Sequence, residues 1–84
     1  MSGLGFGELV NVGMQGSAGF PTEFTWRRRR YAVRSVRSFW PRSGGRRPSP
    51  AARSLYEVLT ESGMRCVLSR ELARDLWRLE RVLS

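Results

Sequence analysis

Short runs in which every second residue is apolar recur along the sequence, and this alternation constrains the fold more than any other feature. Successive side chains of a β-strand point to opposite faces, so a period of two predicts strands with one buried face. Five such runs occur, at Val10-Val12-Met14, Phe24-Trp26, Tyr31-Val33, Tyr56-Val58-Thr60 and Met64-Cys66-Leu68. In a chain of 84 residues they predict a mainly β fold, a small antiparallel sheet or partly open barrel of five to six strands.

Turn-forming residues separate the runs and predict how the runs connect. The segment from Gly16 to Pro21 is expected to turn between the first two runs. The segment from Arg27 to Arg30 is expected to join the second run to the third as a hairpin. Glu61-Ser62-Gly63 offers the turn of a second hairpin.

The apolar phase slips in the third run, because Val33 and Val36 are three positions apart rather than two. A β-bulge inserts one extra residue into a strand and so shifts its phase. We therefore expect a bulge near Arg34 or Ser35, with Val36 and Trp40 facing inward.

The carboxyl-terminal residues allow two interpretations. Leucines recur there at the helical spacing of three and four, with Ser69 as a candidate N-cap, which predicts an α+β fold with a helix over residues 69–83. The interpretation that we favour is a short helical segment near residues 69–75, followed by a strand from Leu76. The buried face of that strand would consist of Trp77, Leu79 and Leu83.

The composition predicts one domain with a loose amino end and one long loop. Residues 1–7 are predicted to be flexible and residues 8–84 to form a single domain. A segment rich in Pro, Gly, Ser and Arg at residues 41–53 is predicted to be an exposed loop. The amino end lacks the basic start and the continuous apolar stretch of a signal peptide or a membrane span, so we expect a cytoplasmic protein.

The sequence lacks the residues on which most enzymes depend. It contains no His, no Lys, one Asp and one Cys, so the usual general bases, nucleophile activators and metal ligands are missing. We therefore predict no enzymatic activity, no catalytic residue, no metal site and no cofactor. Cys66 lies in an apolar run, and we expect a buried thiol there.

Positive charge is concentrated in the middle of the chain. All fifteen basic residues are arginine, and residues 27–53 hold ten of them and no acid, which accounts for the net charge of +8. A concentrated positive field attracts polyanions, and aromatic rings beside it can stack on unpaired bases. The predicted nucleic-acid interface comprises Trp26, Arg27, Arg28, Arg29, Arg30, Tyr31, Arg34 and Arg37.

Two functions are compatible with this pattern. The first is a nucleic-acid-binding accessory module that holds DNA or RNA by its phosphates, with little base specificity. The alternative is a protein-interaction or scaffold module whose aromatic rings form the core and whose arginines are a solvated rim. Alternation with Val favours core packing for Trp26 and Tyr31, and the run of four arginines favours polyanion binding.

Spaced aromatic and apolar residues extend from Val10 to Val82. They are Phe24, Trp26, Tyr31, Val33, Val36, Trp40, Tyr56, Val58, Thr60, Gly63, Leu68 and the run Trp77-Arg78-Leu79-Glu80-Arg81-Val82. This pattern resembles a family of uncharacterised domains in actinobacterial proteins, and similar segments occur at the carboxyl end of some Y-family DNA polymerase relatives. The resemblance implies a domain of unknown function with a DNA-repair polymerase-like protein as a partner, and it supplies no catalytic or ligand residue.

Two departures from that family bear on the structure. Arg28 takes the place of a glycine that is common in the family's basic turn. A residue other than glycine tolerates a positive φ poorly, so we expect a wider turn or another turn type. Residues 72–76 are strong helix formers where the family has a short glycine-containing turn, which agrees with a helical segment there.

Overall fold

The structure, a computed structural model, describes residues 5–15, 20–42 and 53–83, which form antiparallel β-strands. These strands are β1 (Gly5–Gln15), β2 (Phe20–Trp26), β3 (Arg29–Arg42), β4 (Arg53–Thr60), β5 (Arg65–Glu71) and β6 (Leu76–Val82). Each strand pairs with its neighbours in sequence, and β6 pairs with β1, so the six strands close into a barrel. The predicted mainly β fold is confirmed, and the barrel is closed rather than partly open.

The alternation found in the sequence places one face of every strand inside this barrel. The buried cluster consists of Val10, Phe24, Tyr56, Val58, Cys66, Leu68, Trp77 and Leu79. Tyr31 and Val33 pack against it as partly buried residues, so each of the five predicted runs contributes to the interior. Complete burial of a large apolar side chain such as Leu68 or Leu79 stabilises a fold by about 1.5–3 kcal/mol.

The first strand begins earlier than the alternation predicts and changes partner along its length. It starts at Gly5, pairs with β6 as far as Val10, and pairs with β2 from Asn11 onward. The register with β2 shifts between Gly13 and Met14, where Thr22 is the extra residue, so β1 keeps its alternation and Met14 pairs with the buried Pro21. Met14 stays in the predicted phase with Val10 and Val12, but it is 41% exposed and is not part of the buried cluster.

The strands extend into both of the segments predicted to turn before β2 and β4. Pro21 is a buried residue of β2, so the segment predicted to turn lies at residues 16–19, outside the described residues. Pro41 and Arg42 pair with Ser54 and Arg53, so they are strand residues rather than part of the predicted loop. Residues 43–52 of that loop also lie outside the described residues.

Both helical predictions at the carboxyl end are wrong. Residues 69–71 complete β5, and residues 72–75 form a four-residue turn with Asp75 at a φ of 54°. No helix occurs in the described ranges, and accordingly none there could span a membrane. A helix over 69–83 would leave the edges of β1 and β5 unpaired, and barrel closure outweighs the helical propensity of these residues.

The last strand contains a bulge, and the residues beyond it face the opposite way from the prediction. Glu80 is an extra residue between the pairs Leu79–Leu68 and Arg81–Val67. Its carboxylate accepts hydrogen bonds from Ser69 Oγ at 2.5 Å and from Arg53 Nη1 at 3.4 Å. After this bulge Val82 packs against the core and Leu83 is exposed, the reverse of the predicted arrangement.

The third strand has the predicted bulge and a second one. The register shifts between Val33 and Ser35, as expected, and shifts again between Val36 and Ser38. Val36 faces the interior, in agreement with the prediction. The prediction that Trp40 faces inward is wrong, because the second shift moves Trp40 to the outer surface of the barrel.

The thiol of Cys66 is completely buried in the core, and burial raises the pKa of Cys66 to about 12. Thiolate, not thiol, is the nucleophile, so native protein should resist iodoacetamide at mildly alkaline pH. Mass spectrometry should find unmodified native protein and complete alkylation of protein unfolded in guanidinium chloride. Rapid alkylation of the native protein would contradict the closed interior around Cys66.

Candidate nucleic-acid interface

The β2–β3 hairpin ends in a tight turn formed by two arginines. Trp26 pairs with Arg29, which leaves Arg27 and Arg28 as the loop. Their φ angles are 53° and 67°, and two positive φ angles are what a type I′ turn requires. The expectation of a wider or different turn caused by Arg28 is wrong, since the chain adopts the tight turn with arginine in both positions.

Side-chain contacts hold Arg27 in this unfavourable backbone conformation. Its Nη2 and Nε lie 2.6 and 3.2 Å from the two carboxylate oxygens of Glu8, and its guanidinium lies 4.8 Å from the centre of the Trp26 ring. The indole nitrogen of Trp26 donates to the same carboxylate at 2.9 Å. Glu8 therefore connects β1 to the hairpin tip.

The electrostatics of this contact favour the charged forms of both partners. The hydrogen bond from Arg27, followed by the one from Trp26, lowers the pKa of Glu8 below its usual value. The hydrogen bond to Glu8 raises the pKa of Arg27. An ion pair held this way reduces the positive charge that Arg27 can offer to another anion.

Arg29 and Arg30 lie on opposite faces of the hairpin. Arg29 is on the face of Tyr31, with its guanidinium 5.4 Å from the centre of that ring. Arg30 is on the other face, opposite Thr25, and its Nε lies 3.8 Å from a carboxylate oxygen of Glu23. The four consecutive arginines at the tip therefore do not share one surface.

The two predicted base-stacking rings are packed against the protein. The Tyr31 ring stacks on the fully buried Phe24 ring, with 5.1 Å between their centres and 14° between their planes. Trp26 lies beside Tyr31, packs against the core, and is covered by the guanidinium of Arg27. These contacts account for the positions of Trp26 and Tyr31 without a ligand.

Arg34 and Arg37 are the extra residues of the two bulges in β3. The residues that follow them, Ser35 and Ser38, pair with Leu59 and Glu57 on the outer face of β4. Both arginines are exposed on the outside of the barrel. In the ranges that the structure describes, neither they nor Arg28 at the hairpin tip has a carboxylate within ion-pair distance.

Most of the acidic residues are engaged by other arginines. The chain has seven acids, all in described positions, and six of them form ion pairs. The pairs are Glu8–Arg27, Glu23–Arg30, Glu57–Arg65, Glu71–Arg74, Asp75–Arg70 and Glu80–Arg53. Among the described side chains, no three His, Cys, Asp or Glu residues are grouped to hold a metal ion.

A row of exposed side chains follows the outside of β3, and it consists of Arg30, Arg34, Arg37 and Trp40. We call it the β3 outer row. The sequence prediction included its three arginines and missed Trp40. A repeated triplet is the signal that would have found it: Arg34-Ser35-Val36 and Arg37-Ser38-Phe39 each place an arginine and a serine on the outer face and an apolar residue on the face of the core, where Val36 packs against the core and Phe39 is 46% exposed.

Comparison with known proteins gives one match. A family model described as Domain of unknown function (DUF6504) matches residues 5–83. No curated protein and no solved structure is similar enough to the chain to count as a match. The predicted membership in an uncharacterised domain family is confirmed, and the link to polymerase relatives stays a prediction.

Replacing Arg28 with glycine should stabilise the protein. A non-glycine residue at a left-handed φ costs about 1–2 kcal/mol, and glycine loses about 0.5–1 kcal/mol more entropy on folding than alanine. We therefore expect R28G to raise the free energy of unfolding in urea by about 0.5–1 kcal/mol. The control R29G, at a position without a positive φ, should lower it; equal losses in both variants would contradict the strained turn.

Replacing Glu8 with glutamine should destabilise the protein in a pH-dependent manner. A carboxylate whose folded pKa is lowered contributes stability above its unfolded pKa, and that contribution is lost as the pH falls through the folded pKa. The free energy of unfolding should therefore be lower in E8Q than in the native sequence at neutral pH. The difference should shrink below about pH 4, and a difference that is constant with pH would contradict the ion pair with Arg27.

Proposed function

The chain belongs to the family described as Domain of unknown function (DUF6504), and we propose that it is a non-enzymatic module that binds the phosphate backbone of nucleic acid. One observation carries the proposal. Arg34 and Arg37 of the β3 outer row and Arg28 at the hairpin tip are exposed, and no carboxylate among the described residues pairs with them.

The chemistry of these side chains suits phosphate. A guanidinium group is always charged and offers a planar fork of donors that matches two phosphate oxygens. Arg34 and Arg37 need no existing ion pair to be broken before they contact an anion. Arg27 and Arg30 would first have to break their ion pairs with Glu8 and Glu23. We therefore assign them a smaller contribution to phosphate binding than the sequence predicts.

The dimensions of the β3 outer row support contact with several phosphates. At about 3.3 Å per strand residue, the stretch from Arg30 to Arg37 covers roughly 20 Å. A row of this length exceeds the spacing of neighbouring phosphates along one strand, so its arginines can contact different phosphates of the same backbone. Such contacts read the backbone and carry little sequence information.

The same observations support a binding role rather than catalysis. The sequence has no His or Lys, and Cys66 is buried with a raised pKa, so its thiolate is not available as a nucleophile. We propose that the module acts in the cytoplasm, where a single thiol stays reduced. A DNA-repair polymerase-like protein stays a proposed partner that rests on the sequence resemblance.

A salt titration of nucleic-acid binding tests the proposal. The logarithm of affinity should fall linearly with the logarithm of salt concentration, and each phosphate contact contributes about 0.9 to the slope on duplex DNA. The double variant R34Q/R37Q should therefore reduce the slope by about 1.8. Fluorescence anisotropy with a labelled duplex measures both the affinity and the slope.

A matched control distinguishes the effect of the β3 outer row on binding from the effect of net charge. The double variant R65Q/R74Q removes the same charge from β5 and the turn after it, where Arg65 and Arg74 pair with Glu57 and Glu71. It should leave the salt slope nearly unchanged, and circular dichroism should confirm that both variants are folded. Equal losses in the two variants would show a nonspecific charge effect, and absence of binding at low salt would favour the protein-interaction module.

A further inference from the structure

We infer that the nucleic acid bound by the β3 outer row is single-stranded, DNA or RNA, and that Trp40 stacks on one of its unpaired bases. This inference rests on the proposed function and adds the class of nucleic acid and the residue that distinguishes it. Trp40 pairs with Leu55 on the outer face of the barrel, and its side chain is 38% exposed.

Trp40 is the most exposed of the three tryptophans. Trp77 is buried in the core, and Trp26 is held by Glu8 and packed against the core. Among the aromatic rings of the described residues, none is in contact with Trp40. Its indole is therefore the most accessible tryptophan ring for a ligand.

Phe39, the residue before Trp40, lies on the opposite face of β3. Phe39 pairs with Tyr56, with 4.9 Å between ring centres, and its ring also lies 5.9 Å from that of Phe20. The second bulge at Arg37 directs Phe39 to this cluster and so directs Trp40 to the surface of the two bulge arginines. Phe39 thus occupies the position beside Tyr56 while remaining 46% exposed, and the indole of Trp40 lies on the other face of the strand.

The order of the side chains along β3 suits a single strand. Trp40 lies three residues beyond Arg37 on the same surface, about 10 Å away at ordinary strand spacing. Arginines that follow a backbone, together with an aromatic ring on which a base stacks, are the usual means of holding single-stranded nucleic acid. Bases within a duplex are already stacked on one another and reach such a ring only after unpairing.

Binding of oligothymidylate, oligouridylate and a DNA duplex, each about 12 nucleotides or base pairs long, tests the inference. Replacing Trp40 with alanine should weaken binding to both single strands by about 5- to 150-fold, the range that corresponds to about 1–3 kcal/mol per stacked base. Binding to the duplex should change less than twofold, about 0.4 kcal/mol. The variant W40F retains a ring and should lose less affinity than W40A.

Tryptophan fluorescence supplies a second readout that a purely structural role would not affect. Single strands should quench the emission of the native protein, and the quenching should be largely lost in W40F although binding persists. The control L9A removes an apolar side chain that is 58% exposed on β1, and it should leave both readouts unchanged.

The outcomes separate failure of this inference from failure of the proposed function. Salt-dependent binding that is equal for duplex and single strands, and insensitive to W40A, would overturn the role of Trp40 and leave the phosphate contacts standing. A W40A variant that loses duplex and single-strand binding equally would also overturn it. If the native protein binds none of the three probes at low salt, the proposed function fails and the inference fails with it. A preference for oligouridylate or oligothymidylate would identify RNA or DNA as the natural single strand.

Discussion

Closure of the barrel between β1 and β6 is the constraint on which the other features depend. A chain of this length can bury little apolar surface, and an open sheet would leave two unpaired edges exposed. Closing the sheet pairs the described strands on both sides and surrounds the buried cluster. At this seam the guanidinium of Arg78 donates to the carbonyl oxygen of Gly7 at 2.9 Å, which satisfies the backbone where the β1–β6 register shifts. The bulges follow from the same requirement, because they restore the inward phase of strands that bend around a small interior.

The distribution of ion pairs gives the excess positive charge a definite location. Acids on β1, β2, β4, β5, β6 and the turn before β6 each engage an arginine. Exposed pairs such as Glu8–Arg27 and Glu23–Arg30 contribute little stability, so their main effect is to reduce the charge around them. The two bulge arginines of β3 have no carboxylate partner among the described residues, so their charge is not reduced in this way.

The fold class could be predicted from the sequence because a strand with one buried face has an apolar residue at every second position. Cys66 and Leu68 follow the predicted phase without exception, and the first β3 bulge was visible as a three-residue step from Val33 to Val36. The helical spacing of the leucines misled because Leu72 lies in an exposed turn and only Leu68 and Leu79 reach the core. At the candidate site, the concentration of positive charge identified the run of four arginines. Which of these arginines lie on which face of the hairpin depends on strand pairing, which the charge pattern does not show. Trp40 was missed because its orientation depends on the second bulge, which a reading in steps of two does not detect.

The repeated Arg-Ser-apolar triplet has a consequence for how this strand can vary among related chains. One such unit occupies three positions but advances the partner strand by only two, so the inward phase is the same before and after it. Gain or loss of one unit would therefore add or remove one outward-facing arginine, and every inward-facing residue of the strand would keep its orientation. The number of arginines on the outside of this strand can in this way change by whole units while the packing of the centre stays the same.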